Sequence, residues 1–226
     1  MSGAVLGCAL AVDHVVVDTS ADNDGLGRAG YRRSTGTPRG EARRQELLER
    51  VTDDLAANGL VDFSLRRAAR AAGTTHKVLL YHFASAEDLL AQALYQLRER
   101  RIGYALAATQ AAERETLADR VRAIWPSLMS DESGLRVIDQ AIGLVMYDPE
   151  RYEALARQAP DQYLPGLLSI CPPDWSDQRK FEVAEMLMAI FRGFLMDWRT
   201  TQQTGRVDAA LRALGRALER EEAAEA

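Results

Sequence analysis

Between Glu41 and Asn58 the apolar residues Leu47, Leu48, Val51 and Leu55 recur at helical spacing on one face, and Gly59 follows as a C-terminal stop. Two short helical patterns come next, Leu65 to Ala71 and His76 to His82, with Ser64 and Thr75 placed as N-caps. Gly73 separates them, where a chain reversing in three or four residues needs the positive φ that glycine reaches at low cost. Ala68, Ala69 and Ala72 keep the first of these helices thin enough for the second to cross it closely. The pattern predicts a helix-turn-helix whose second helix is about 10 Å long, against a major groove about 12 Å wide.

The sequence Ser85-Ala86-Glu87-Asp88 predicts the start of a fourth helix, with acids suited to the helix dipole, and Leu89, Leu90, Ala93, Leu94, Leu97 and Ile102 continue it. From residue 105 onward the period remains helical without an alternating strand. Helices are expected over Glu113 to Ser130, bent at Pro126, and over Leu135 to Tyr147. A less regular segment with Pro160 and Pro165 spans Glu150 to Ile170. A long helix is expected from Asp177, capped by Ser176, to about Gln202; Gly205 then separates it from Val207 to about Glu221. The fold class predicted is all-α: a tail over residues 1 to 40, a three-helix head over 41 to 86, and a helical second domain over 87 to 226.

Charge sharpens this picture. The 226 residues carry a formal charge of −5, which by itself argues against nucleic acid. Its distribution reverses that impression: residues 28 to 101 hold 14 Arg and Lys against 9 Asp and Glu, whereas residues 102 to 226 hold 14 against 20. Of the 28 basic residues only Lys77 and Lys180 are lysine, a bias that a GC-rich genome also produces. The tail ends in Arg28, Arg32, Arg33 and Arg39, continued by Arg43 and Arg44. This is either a basic arm for phosphates or a minor groove, or a solvated tail.

Cys8 and Cys171 are too few and too far apart for a disulfide framework or zinc site, which favours a reducing cytoplasm. The apolar start from Ala4 to Val17 lacks a basic n-region and the length of a span, so neither a signal peptide nor a membrane segment is expected. The three His are scattered and no Gly-rich phosphate loop occurs, leaving an enzyme without support and calling for no metal or cofactor.

The block from Arg44 to about Leu94 resembles the tetracycline-repressor (TetR) family of bacterial regulators. The resemblance rests on Asn58-Gly59 ending the first helix, Ser64-Leu65-Arg66 opening the second, and Ala69 and Gly73 at the turn. Leu79 and Tyr81-His82-Phe83 close the recognition helix, and Ser85-Ala86-Glu87-Asp88-Leu89-Leu90 starts the fourth. The stretches Phe191-Arg192-Gly193-Phe194-Leu195 and Val207-Asp208-Ala209-Ala210-Leu211 resemble the family's C-terminal domain less strongly. Two positions depart from the family: Leu80 stands where many members have a phosphate-contacting tyrosine, and Ala86 where they begin the fourth helix with lysine. Lys77 fills a place often held by a small residue.

The resemblance implies a homodimeric, DNA-binding transcriptional regulator, a repressor released from a near-palindromic operator by a small apolar effector. Base contacts are then expected from Arg66, Thr75, His76 and Lys77, and phosphate contacts from Ser64, Tyr81, His82 and Arg44. His82 equally suits a packed histidine bracing the fourth helix, and Arg67 and Arg70 read as solvated face residues. Trp125, Met129, Met146, Tyr147, Tyr163 and Met188 are the candidate effector wall, although each type is also common in simple packing. Phe191, Phe194, Leu195, Trp198, Leu211 and Leu214 are the candidate dimer interface, or ordinary intrachain core. The alternative is a helical homodimer acting through protein partners, to which Leu80 and Ala86 lend weight.

Overall fold

A computed structural model describes residues 37–110, 116–130 and 132–224; the expectations for residues 1 to 36, including Arg28, Arg32 and Arg33, lie outside the described residues. Among the described residues the regular structure is entirely helical: α1 (Pro38–Asn58), α2 (Leu65–Ala71), α3 (His76–His82), α4 (Ala86–Gln110), α5 (Leu117–Ser130), α6 (Glu132–Tyr147), α7 (Glu153–Ser169), α8 (Asp177–Thr201) and α9 (Thr204–Ala223).

The first helix begins three residues earlier than the apolar period alone indicates. Thr37 caps it by accepting the Gly40 N–H at 3.1 Å, and Pro38 supplies a preset φ where its missing N–H costs nothing. Leu47, Leu48, Val51 and Leu55 are all buried, as the period requires. They meet Leu60, Phe63, Ala68, Ala69, Ala72, Leu79 and Phe83 of the head, and Leu89, Leu90, Ala93, Leu94 and Leu97 of α4, in one apolar cluster. Val137 and Ala141 of α6, with Tyr152 and Leu155 near α7, close that cluster from the other side.

A second core gathers α5, α8 and α9 around Leu117, Val121, Trp125, Leu187, Phe191, Trp198, Leu214 and Leu218. Ala105 of α4 belongs to it, so a single helix enters both cores. Accordingly α4 packs against α1, α5, α6 and α7 and has apolar side chains on more than one face.

Two further features differ from the sequence expectation. The segment with Pro160 and Pro165 is a continuous helix, α7, because packing against α4 and α8 offsets the two missing backbone bonds. The break before the last helix lies not at Gly205 but at Gln202, which adopts φ 57° and returns its N–H to Trp198 O at 2.8 Å; Gly205 falls in the first turn of α9. The expected start of the preceding helical stretch at Glu113 lies outside the described residues. Among those described, no helix is long and apolar enough to cross a membrane.

Candidate nucleic-acid interface and interior cavity

The turn between α2 and α3 is fixed by local chemistry. Ser64 Oγ accepts from Arg67 N at 3.3 Å and Thr75 Oγ1 from Val78 N at 3.3 Å, satisfying orphan donors at both helix starts. Gly73 takes φ +64°, and Arg50 Nη1 donates to the adjoining Ala72 carbonyl at 3.1 Å, tying the turn to α1. With Ala68, Ala69, Ala72, Leu79 and Phe83 turned inward, the outer face is left to Arg66, Arg70, Thr75, His76, Lys77 and Leu80, all exposed. Neither α2 nor α3 contains a carboxylate.

Five cationic residues of the head divide into two groups. Arg66, Arg70 and Lys77 make no ion pair among the described residues and project a cationic surface. Arg67, expected on the solvated face, is instead half-buried: it pairs with Asp54 Oδ2 at 2.8 Å and donates to the Val61 carbonyl at 2.7 Å, pinning α2 to α1. Arg44 is likewise engaged, over the Phe83 ring at 5.1 Å, with His82 O at 3.4 Å, Glu41 at 3.4 Å and the Gln92 side chain. These two arginines shape the head; the exposed three give it charge.

Tyr81 and His82 are half-buried and meet edge to face at 5.0 Å. The His82 Nδ1 atom is buried with no hydrogen-bond partner among the described residues. Burial pulls its pKa below the ordinary 6.5, and the charges of Arg44 and Arg43 reinforce the shift, so the imidazole is neutral at pH 7.

Beyond the head lies a cavity of about 400 Å³ bounded by α4, α5, α6, α7 and α8. Its wall is largely aliphatic, and Met146, Tyr163 and Met188 line it as the sequence suggests. Trp125, Met129 and Tyr147 do not. Trp125 is turned into the second core, stacked on Phe191 at 6.5 Å and edge-on to Phe194 at 6.0 Å; Met129 packs against the same core, and Tyr147 is exposed to solvent. Sequence reasoning missed Arg98 and Arg101 in this wall. They belong to the charged run Arg98-Glu99-Arg100-Arg101, and no local signal marks which of the four turn inward. Met146, Arg192 and Met196 are lining residues that are also exposed, so the cavity reaches solvent past them.

The cavity is connected to the head through α6. Gln140 Oε1 accepts the Leu60 N–H at 2.7 Å in the α1–α2 connection, and Arg136 donates to the Ala57 carbonyl at 2.8 Å in the last turn of α1. On α6 the neighbouring Asp139 and Ala141 line the cavity. At the head end of α4, Glu87 pairs with Arg151 at 3.0 Å.

The same arrangement of a small helical head on a larger helical body recurs in solved structures. A TetR-family transcriptional regulator from Cytophaga hutchinsonii aligns over 81% of this chain and 96% of its own, with a TM-score of 0.62 and 18% identity. The chain has the TetR fold. A transcriptional regulator from Rhodococcus sp. Rha1 aligns over 79% of this chain and 96% of its own, with a TM-score of 0.57 and 18% identity. The multidrug binding protein EbrR complexed with imidazole covers 78% of this chain and 90% of its own, with a TM-score of 0.59 and 21% identity. No family model and no curated protein matches the sequence.

Within this TetR fold the six candidate interface residues fall on the inner side of α8 and α9. Phe191, Trp198 and Leu214 are buried, while Phe194, Leu195 and Leu211 are half-buried against the same intrachain core. The exposed side of α8 includes a different stripe, Met186, Ala189, Gly193 and Met196, at spacings of three and four, flanked by the exposed Glu182, Glu185 and Arg192. Large apolar side chains facing water went unnoticed in the sequence because α8 is apolar on two sides, and period alone does not rank them.

Proposed function

We propose that the chain is a sequence-specific DNA-binding transcriptional regulator. The observation that carries this reading is the carboxylate-free outer face of α2 and α3, cationic through Arg66, Arg70 and Lys77 and held rigid by a packed core. Arg66, Thr75, His76 and Lys77 are the base-reading residues. Arg66, on α2, offers the planar fork that guanine O6 and N7 accept, and Lys77, on α3, a mobile ammonium. Ser64 and Thr75 use an oxygen lone pair as caps, which leaves each O–H to donate outward. Ser64, Tyr81 and neutral His82 suit phosphate oxygens. Arg44, already holding α1 against the end of α3, contributes chiefly by aiming that end.

A single seven-residue helix reads few bases, so the proposed unit is a homodimer presenting two heads to successive major grooves, about 34–36 Å apart. The exposed Met186, Ala189, Gly193 and Met196 stripe supports α8 as the pairing face, with half-buried Phe194, Leu195 and Leu211 beneath it. The interior cavity, tied to the head through α6, supports a repressor-release mechanism. A ligand pressing on α6 and α4 moves Gln140 and Arg136 relative to the α1–α2 connection, and with them the head.

The test is a binding-site selection from random duplexes with purified protein, followed by titration of the selected site. Wild type is expected to retain a near-palindromic sequence, with affinity falling steeply as salt rises. The Arg66→Ala, Lys77→Ala double variant should lose specific retention while keeping its helical content. A wild-type chain that retains no duplex at low ionic strength overturns the reading. In that event the exposed Leu80 on α3 favours the second one, a helical dimer acting through a protein partner.

A further inference from the structure

We propose that the interior cavity takes an apolar molecule ending in a carboxylate, with the carboxylate seated at Arg98. This extends the effector reading above by naming the ligand's chemistry. Arg98 lines the cavity and is only 4% exposed. Its Nε donates to Gln162 Oε1 at 2.7 Å, and Gln162 is itself held by donating to Tyr95 O at 2.6 Å and Glu99 Oε1 at 2.9 Å. One side of the guanidinium is thereby fixed, whereas Nη2 is buried with no hydrogen-bond partner among the described residues. A buried cationic donor left unmade is costly, and a folded chain keeps such a group chiefly where something else completes it.

The surroundings specify what completes it. Arg101 and Arg192 also line the cavity, and Tyr163 lies in the field of all three guanidinium groups. Burial holds the Tyr163 phenol above its ordinary range, so it stays a neutral donor. The one carboxylate in the wall, Asp139, is paired with Arg199 at 3.1 Å. Arg101 is held by donating to the Leu128 carbonyl at 3.1 Å and Arg192 reaches solvent, so within this cationic end of the cavity the buried Nη2 of Arg98 is the seat for an anion. The remainder of its surface is mainly Ile, Leu, Val, Ala and Met, which offers an apolar tail no hydrogen bonds and excludes water from it. A planar carboxylate accepts the free Nη2–H with the charge assistance that a neutral hydroxyl lacks.

Isothermal titration of the full-length protein with decanoate, decanol and decyltrimethylammonium, each below its micelle concentration, separates head-group chemistry from tail burial. Naphthoate and naphthylmethanol repeat the comparison with an aromatic body. The carboxylates are expected to bind about tenfold or more tightly than the matching alcohols, and the ammonium weakest. Arg98→Gln should bring each carboxylate down to its alcohol's affinity and leave alcohol binding unchanged. Equal affinities across the wild-type series, tighter binding of the ammonium, or no binding of either carboxylate overturns the proposal without need of any variant. A carboxylate preference that survives in folded Arg98→Gln overturns the assignment to Arg98. Because no DNA enters the assay, a chain that binds carboxylates yet retains no duplex loses the regulator reading and keeps this one.

Discussion

Gly59 offers a sharp test of how the head is attached. Its φ of 76° with ψ of −173° lies in a region essentially confined to glycine, and a Cβ built there would come within 2.8 Å of Gln140 Oε1. Gly59→Ala therefore combines two costs. Backbone strain contributes about 1–3 kcal/mol. Displacing Gln140 leaves the buried Leu60 N–H unpaired, at about 1–3 kcal/mol more. A loss of about 3 kcal/mol is expected, which for a chain of this size lowers the thermal midpoint by about 6–12 °C. Gln140→Ala alone should cost about 1–3 kcal/mol, since it removes only the acceptor. The double variant should cost less than the sum, because Leu60 N can be orphaned only once. Urea unfolding of wild type and the three variants, followed by circular dichroism, measures all four. A Gly59→Ala protein within about 0.5 kcal/mol of wild type, or strict additivity in the cycle, would refute the reasoning.

Arg67→Ala is expected to destabilise by about 2–3 kcal/mol in the same urea assay, since it leaves half-buried Asp54 unpaired and frees the Val61 carbonyl, whereas exposed Arg70→Ala should fall within about 0.5 kcal/mol of wild type. Because His82 has a depressed pKa, the folded chain binds fewer protons than the unfolded chain below 6.5. Its contribution is present above that value and is lost as pH falls through the folded pKa. His82→Gln should flatten the fall of the thermal midpoint on acidification from neutral pH, and an unchanged slope would remove His82 from the cause. Met196→Glu, at a position 55% exposed in the single chain, should leave helicity intact and shift light-scattering mass from dimer toward monomer; a dimer of unchanged affinity would place the pairing face elsewhere.

The head was legible because its signals are local. Caps at Ser64 and Thr75, the positive φ at Gly73 and the stripe from Leu47 to Leu55 each act within a few residues, and the structure has all of them. Arg67 was not legible, since its partner Asp54 lies thirteen residues away on another helix. The cavity wall was only half legible for a related reason. Trp125 and Met188 are similar in kind, yet the first is turned into the α5–α8 core and the second into the cavity. Arg98 escaped notice because a guanidinium in an amphipathic helix is ordinarily solvated, and its burial depends on Gln162 of α7. Proline counting likewise misjudged α7, where tertiary packing outweighs two local penalties.

Because Leu89, Leu90, Ala93, Leu94 and Leu97 complete the apolar cluster of the head, a fragment ending at residue 86 would lay bare Leu47, Val51, Leu55 and Phe83. Such a fragment is expected to collapse without ordering. The three-helix head is thus not portable: grafting it onto another protein requires carrying α4 along, and α4 brings Arg98 and the floor of the cavity with it. Sequence change in this scaffold is correspondingly free on the outer face of α3 and constrained on α4.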